Sequence, residues 1–222
     1  MRKVLAAAAV MVLSSAVAFA AGAPVIDAVK SGNVEAVRTL LQKRADVNLA
    51  ESDGMTALHW AARNNDLASA RLLLRAGANT RATTRYGVTP LALAAQNGSA
   101  QMLDLLLKGG ADANAALPEG ETALMTAART GSAASIKVLA SHGANVNVQE
   151  NWMGESAISW AAAENHTDAV KALIELGADV NKKSTVLSFP EFKWTTSGMV
   201  STALPRGGWT PLMHAARQGA AL

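Results

Sequence analysis

The sequence predicts a mostly α protein, a solenoid of helix-turn-helix units joined by hairpin loops. A phrase recurs at a fixed spacing: Gly54-Met-Thr-Ala-Leu-His-Trp-Ala-Ala, Gly87-Val-Thr-Pro-Leu-Ala-Leu-Ala-Ala and Gly120-Glu-Thr-Ala-Leu-Met-Thr-Ala-Ala start 33 residues apart, with further copies at Gly154 and Gly208. A fixed period of this size marks units that bury their apolar faces on one another. Alanine makes up roughly a fifth of the chain and aromatic residues 4%, a balance that suits close-packed helices better than sheets. Half the residues are apolar and 17% charged, so the chain can bury a core and is not a disordered one.

The elements follow in order. Residues 1–20 have a basic start (Arg2, Lys3), an apolar run and the triplet Ala18-Phe19-Ala20, the layout of a signal peptide cleaved near Ala20. The run is too short for a membrane anchor. Beyond it, charges interrupt every apolar stretch, so the mature form is expected to be exported, periplasmic or secreted, with no membrane segment. There is no cysteine, so stability must come from packing alone. The formal charge of +3 falls to near neutrality once Arg2 and Lys3 are removed, which argues against general nucleic-acid binding.

Residues 21–53 form a partial N-terminal or capping unit. Residues 54–86, 87–119 and 120–153 are full units, 154–207 is a unit with an insert at 182–207, and 208–222 is an incomplete one. In each, Thr56, Thr89, Thr122 or Thr210 can cap a first helix, and Pro90 and Pro211 fit its first turn. The alanine pairs at 61–62, 94–95, 127–128 and 215–216 let a neighbouring helix approach. A second helix ends in phrases such as Arg71-Leu-Leu-Leu-Arg-Ala-Gly-Ala-Asn, whose Gly77, like Gly110, Gly143 and Gly177, suits a left-handed position after the helix. Arg44 stands at that position in the first unit, where a left-handed conformation is costly, so a looser or differently closed turn is expected. Asn65 and Asn165 are tolerable replacements for glycine at the turn between helices.

The phrase Thr-Pro-Leu-x-x-Ala-Ala, the leucine triplet and Gly-Ala-Asp-x-Asn together resemble the ankyrin repeat over essentially everything after the signal peptide. The resemblance implies L-shaped units of a hairpin and two helices. It also implies a protein partner held by hairpin tips and the inner-helix face, with no catalysis. The final unit stops after its first helix and leaves Leu212 and the Ala215–Ala216 face uncovered, which reads as a fragment or a truncated product. The rival function is therefore a regulatory or targeting segment of a longer enzyme or effector continuing beyond residue 222.

Signals of catalysis are absent. Gly-x-Ser-x-Gly, the P-loop and the dinucleotide fingerprint do not occur, and the four histidines show no metal-ligand spacing, so neither cofactor nor metal is expected. His59 and His166 coincide with histidines that the ankyrin pattern uses structurally. His142 suits a helix C-terminus, and His214 reads as a face residue. Asp46, Asp112 and Asp179 sit in the Gly-Ala-Asp region, where they satisfy local backbone donors. Asn97-Gly-Ser99 and Asn165-His-Thr167 are sequons at turns and matter only in a glycosylating host.

Candidate partner-binding residues come from the tips and the insert. Tyr86 and Trp152 precede the turn glycines and are the expected anchors, with Arg85 beside the first. Arg63, Arg71, Arg75, Arg81 and Arg85 cluster within 54–86, either as an acidic-partner site or as a solvated face that helix geometry splits. Trp60 and Trp160 are assigned to the core. The insert 182–207 replaces connections of five or six residues and holds Phe189, Phe192 and Trp194. It is expected to form an irregular finger with short extended pieces, the three aromatics either recognising a partner or folding back over the neighbouring repeat. The oligomeric state stays open.

Overall fold

The fold is described from a computed structural model that covers residues 23–195, 198–217 and 219. The signal-peptide reading for 1–20 lies outside these residues. The first unit comprises α1 (Pro24–Lys30) and α2 (Val34–Gln42). Four more pairs follow: α3 (Ala57–Arg63) with α4 (Leu67–Arg75), α5 (Pro90–Gln96) with α6 (Ala100–Lys108), α7 (Ala123–Arg129) with α8 (Ala133–Ser141), and α9 (Ala157–Ala163) with α10 (Thr167–Glu175). A hairpin of β1 (Leu187–Thr195) and β2 (Gly198–Arg206) precedes α11 (Pro211–Arg217). First helices stack on first helices and second on second, the first-helix layer packing more closely, so the array curves with first helices on the inside.

Caps set the helix starts. Thr89 Oγ1 accepts from the Ala92 N–H at 3.1 Å and Thr122 Oγ1 from the Met125 N–H at 3.4 Å, while Asn33, Asp66, Ser99 and Ser132 cap the second helices. The core runs the length of the stack through Leu58, Leu91, Leu124 and Ile158 of the first helices and Leu73, Leu106, Leu139 and Leu173 of the second. The paired alanines are buried from 61–62 to 161–162. In the last unit the expectation holds only in part: Leu212 is 64% exposed and Ala216 is exposed, but Ala215 is fully buried against α9.

Arg44 corrects the expectation of a different closure. It adopts φ +59°, and the hydrogen bonds from the Arg44 and Ala45 N–H groups to Leu41 and Leu40 repeat those of Gly77 and Ala78 to Leu74 and Leu73. The helix-end hydrogen bonds of the unit are thus made in spite of the local preference of an L-residue. Replacing Arg44→Gly should relieve this left-handed cost and stabilise the array by about 1 kcal/mol. Urea melts of the two proteins check it, and a destabilised glycine variant would show that the arginine side chain has a compensating contact.

Repeats are joined by backbone and side-chain bonds at one-unit spacing. The Asn48 amide donates to the Gly77 carbonyl at 3.2 Å and accepts from the Asn79 N–H at 2.8 Å; Asn114 and Asn147 repeat this with Gly143 and Asn145, and with Gly177 and Asp179. Arg81 stands where these units have asparagine, and its Nε donates to the Gly110 carbonyl at 3.1 Å.

The insert is more regular than expected. Nine consecutive antiparallel pairs run from Leu187↔Arg206 to Thr195↔Gly198. Its junction with the repeat is sharp. In an ordinary unit Thr84 closes the hairpin: its N–H donates to the Val88 carbonyl, and its carbonyl accepts from Gly87. Ser184 makes the same two bonds with Trp209 and Gly208. Residues 185–207 thus occupy the place of Arg85 and Tyr86. Gly207 has φ +107°, and a Cβ there would lie 1.9 Å from the Thr185 carbonyl oxygen, so only glycine lets the returning strand re-enter the turn.

Candidate functional site

The surface bounded by hairpin tips and first helices is built on two alternations. In α3, α5, α7 and α9 the leucine or isoleucine and the alanine pair form an i, i+3, i+4 stripe into the core, and Trp60 and Trp160 lie off that stripe, at its edge. Trp60 and Trp160 are consequently half-buried, not core residues. The period carries this signal: Leu58, Ala61 and Ala62 share one face, and Trp60 lies about 200° from Leu58 around the helix.

Around these tryptophans cations and carboxylates repeat. Lys30 Nζ lies 4.4 Å and Arg63 Cζ 5.2 Å from the Trp60 ring centre, and the Trp60 indole N–H donates to Glu51 Oε2 at 2.7 Å. Glu51 also pairs with Lys30. Arg129 lies 5.1 Å from the Trp160 ring and 3.3 Å from Glu121, which accepts a 2.8 Å bond from the Thr126 hydroxyl. Such contacts hold long side chains in one geometry and cover ring faces with charge.

Trp160 differs from Trp60 in one respect. Glu150, the counterpart of Glu51, turns into its own hairpin and accepts from the Trp152, Met153 and Glu155 N–H groups at 2.6, 2.8 and 2.8 Å. The buried Trp160 indole N–H is left without a partner among the described residues. Beside it in the stack, His214 Nε2 lies 3.1 Å from Glu155 Oε1 without hydrogen-bond alignment, and both His214 Nε2 and Glu155 Oε2 are buried and unbonded among the described residues. His214 is therefore mostly buried, tilted against Trp209 at 5.2 Å, and not the face residue expected. A cleft of about 560 Å³ opens here, lined by Met153, Glu155, Ser184, Trp209, His214 and Arg217.

At the tips, Tyr86 is 63% and Trp152 73% exposed, and Arg85 Cζ stacks 4.8 Å from the Tyr86 ring. The tips are tied side by side: Arg85 N–H to Asp53 O at 2.9 Å, Asn151 N–H to Glu119 O at 2.8 Å, Thr185 N–H to Met153 O at 2.7 Å. The last bond sets Trp152 next to the base of the β-hairpin. Tyr86 and Trp152 belong to tips separated by that of Pro118 and Glu119. The arginines do not form one patch: Arg63 belongs to the groove, Arg71 and Arg75 to the second helix α4, Arg81 to the inter-repeat bonding, and Arg85 to a tip.

Phe189, Phe192 and Trp194 all lie on β1. In the ladder Phe189 pairs with Leu204, Phe192 with Ser201 and Trp194 with Met199. Where their side chains rest, the point on which the two readings of the insert differ, lies outside the described residues.

The histidines expected to be structural are so placed. His59 accepts from the Thr56 N–H at 3.2 Å and from its hydroxyl at 2.8 Å through Nδ1, leaving Nε2–H to donate to the Val88 carbonyl at 3.0 Å. Burial holds its pKa below the usual 6.5, against the opposing pull of the Val88 carbonyl and Asp53. His166 Nε2 reaches the Arg129 carbonyl at 3.0 Å, and His142 lies 3.1 Å from Asp104. Lys108, and secondarily His142, hold the Asp104 carboxyl below its ordinary value.

No described helix is long and apolar enough to cross a membrane. No curated protein matches the sequence. The family model described as ankyrin repeats (3 copies) matches residues 25–116 and 91–184, and that described as ankyrin repeats (many copies) matches 158–221. With these matches spanning nearly the whole chain, and stacked helix pairs with tied hairpin tips beneath them, the protein belongs to the ankyrin-repeat family.

Proposed function

We propose that this chain is an exported, non-catalytic module that binds a protein partner across its hairpin tips and inner-helix groove, with the β-hairpin end as the main contact. Ankyrin arrays in general serve protein–protein interaction. The observation that carries the reading is Trp152, 73% exposed on a tip bonded to the hairpin base and one residue from Met153, which lines the cleft. A large rigid aromatic next to a recess is the usual composition of a binding hot spot.

The test starts from crosslinked capture in an envelope extract, with N-terminal sequencing of the exported chain, which should begin near Ala21. The affinity of the captured protein is then measured for wild type, Trp152→Ala, Tyr86→Ala and a variant with 185–207 replaced by Arg-Tyr. Trp152→Ala and the hairpin replacement should each weaken binding at least about thirtyfold, the scale of a 2 kcal/mol hot spot. Tyr86→Ala should cost less, and melting temperatures should stay level. Unchanged affinity with a large fall in stability on hairpin replacement would make the insert a packing element and end the proposal for that surface.

A further inference from the structure

The two strands of the hairpin present unlike outer edges. Pro190 pairs with Ala203, and Pro205 with Ser188, two steps along the ladder, so both prolines fall in the same class of the alternating pairs. Proline has no N–H to give, so this is the non-hydrogen-bonded class, whose N–H and C=O groups point away from the partner strand. On β1 the outward groups belong to Ser188, Pro190, Phe192 and Trp194, a row broken by Pro190, and the strand carries Glu191 and Lys193. On β2 they belong to Met199, Ser201 and Ala203 before Pro205, and residues 198–204 hold no proline and no charge. Proline and charge are the common means of keeping an edge from pairing. The chain applies them to β1 and leaves β2 open over three consecutive outward positions.

A two-stranded ladder is marginal in water by itself, and among the described residues the sheet has only these two strands. We infer that the β2 edge pairs with the β2 edge of a second copy of this chain, antiparallel and centred on Ser201, to make a four-stranded sheet of order β1-β2-β2-β1. In that register Ser201 faces Ser201 and Met199 faces Ala203 twice. These are three pairs that each exchange two N–H···O bonds, with every donor present. No charge opposes a like charge. The equivalent pairing through β1 about Phe192 sets Pro190 against Trp194 twice and loses a donor each time.

Direction follows from the position of the repeats. Each β2 returns to its array at Arg206, five residues from the centre, so antiparallel pairing places the two junctions about 34 Å apart at opposite ends of the sheet. Parallel pairing would bring them within about one strand spacing, about 4.8 Å, where two helical arrays collide. The result is an isologous two-fold dimer that leaves Tyr86, Trp152 and the groove of each copy outside the pairing strands.

Sedimentation velocity on the full chain across the micromolar range tests this. Wild type should be a dimer. Ser201→Pro removes both bonds of the central pair while keeping the ladder within the chain, which tolerates proline in this class at 190 and 205, and should weaken association at least about tenfold. A Ser201→Cys variant, whose thiol is the only one in the chain, should give pyrene excimer emission when labelled, because the two labels meet at the axis. A wild type that stays monomeric overturns the inference, whether or not it captures a strand of another protein. So does a dimer that survives Ser201→Pro, or labelled dimers without excimer. If Ser201→Pro also loses its strand signal by circular dichroism, Ser201→Lys decides: a monomer supports the pairing and a dimer refutes it.

Discussion

Leu91→Ala is expected to cost about 3 kcal/mol, and Leu212→Ala no more than about 0.5 kcal/mol, although the two leucines occupy the same position of the repeat phrase. Leu91 is 1% exposed in α5, between the first helices on either side, so truncation opens a cavity that well-packed neighbours on both sides cannot close. Leu212 is 64% exposed in α11. In a linear array such a loss weakens one unit and both of its interfaces, so the melt of Leu91→Ala should broaden as well as shift. Urea denaturation followed by circular dichroism measures both. Equal costs at the two sites would mean that Leu212 is covered in solution.

His59→Ala should cost about 2–4 kcal/mol, since one fully buried ring links the start of its own helix to the next hairpin through three hydrogen bonds. It should also remove part of the pH dependence. Burial lowers the folded-state pKa of His59 below 6.5, so between that lowered value and 6.5 the unfolded chain binds the proton more readily. The contribution is complete above about 6.5 and is lost as pH falls through the window, so wild type should melt progressively lower from neutral to mildly acid pH. The drop should shrink in His59→Ala and in His59→Gln, which keeps polarity without titrating. Identical pH slopes in wild type and both variants would place the sensitivity elsewhere.

The sequence by itself determined the repeat, the helix boundaries and most of the core. Caps, left-handed turns and a 3.6-residue apolar period are properties of a few adjacent residues, and Thr89, Gly77 and the Leu91–Ala94–Ala95 stripe express them without reference to the rest of the chain. The same period puts Trp60 and Trp160 off the core stripe, and both are half-buried instead of in the core. Other features are not properties of adjacent residues: the bond of His59 to Val88 in the next repeat, the closure of the fifth hairpin by Ser184 with Gly208 and Trp209 across the insert, the turn of Glu150 into its own hairpin, which leaves the Trp160 N–H unbonded among the described residues, and the left-handed turn that Arg44 accepts. Only the tertiary structure decided these. Likewise Pro190 and Gly198 are residues that break any long helix in the insert, while the shared class of Pro190 and Pro205 in the ladder, and with it the open β2 edge, exists only once β1 and β2 have found their register.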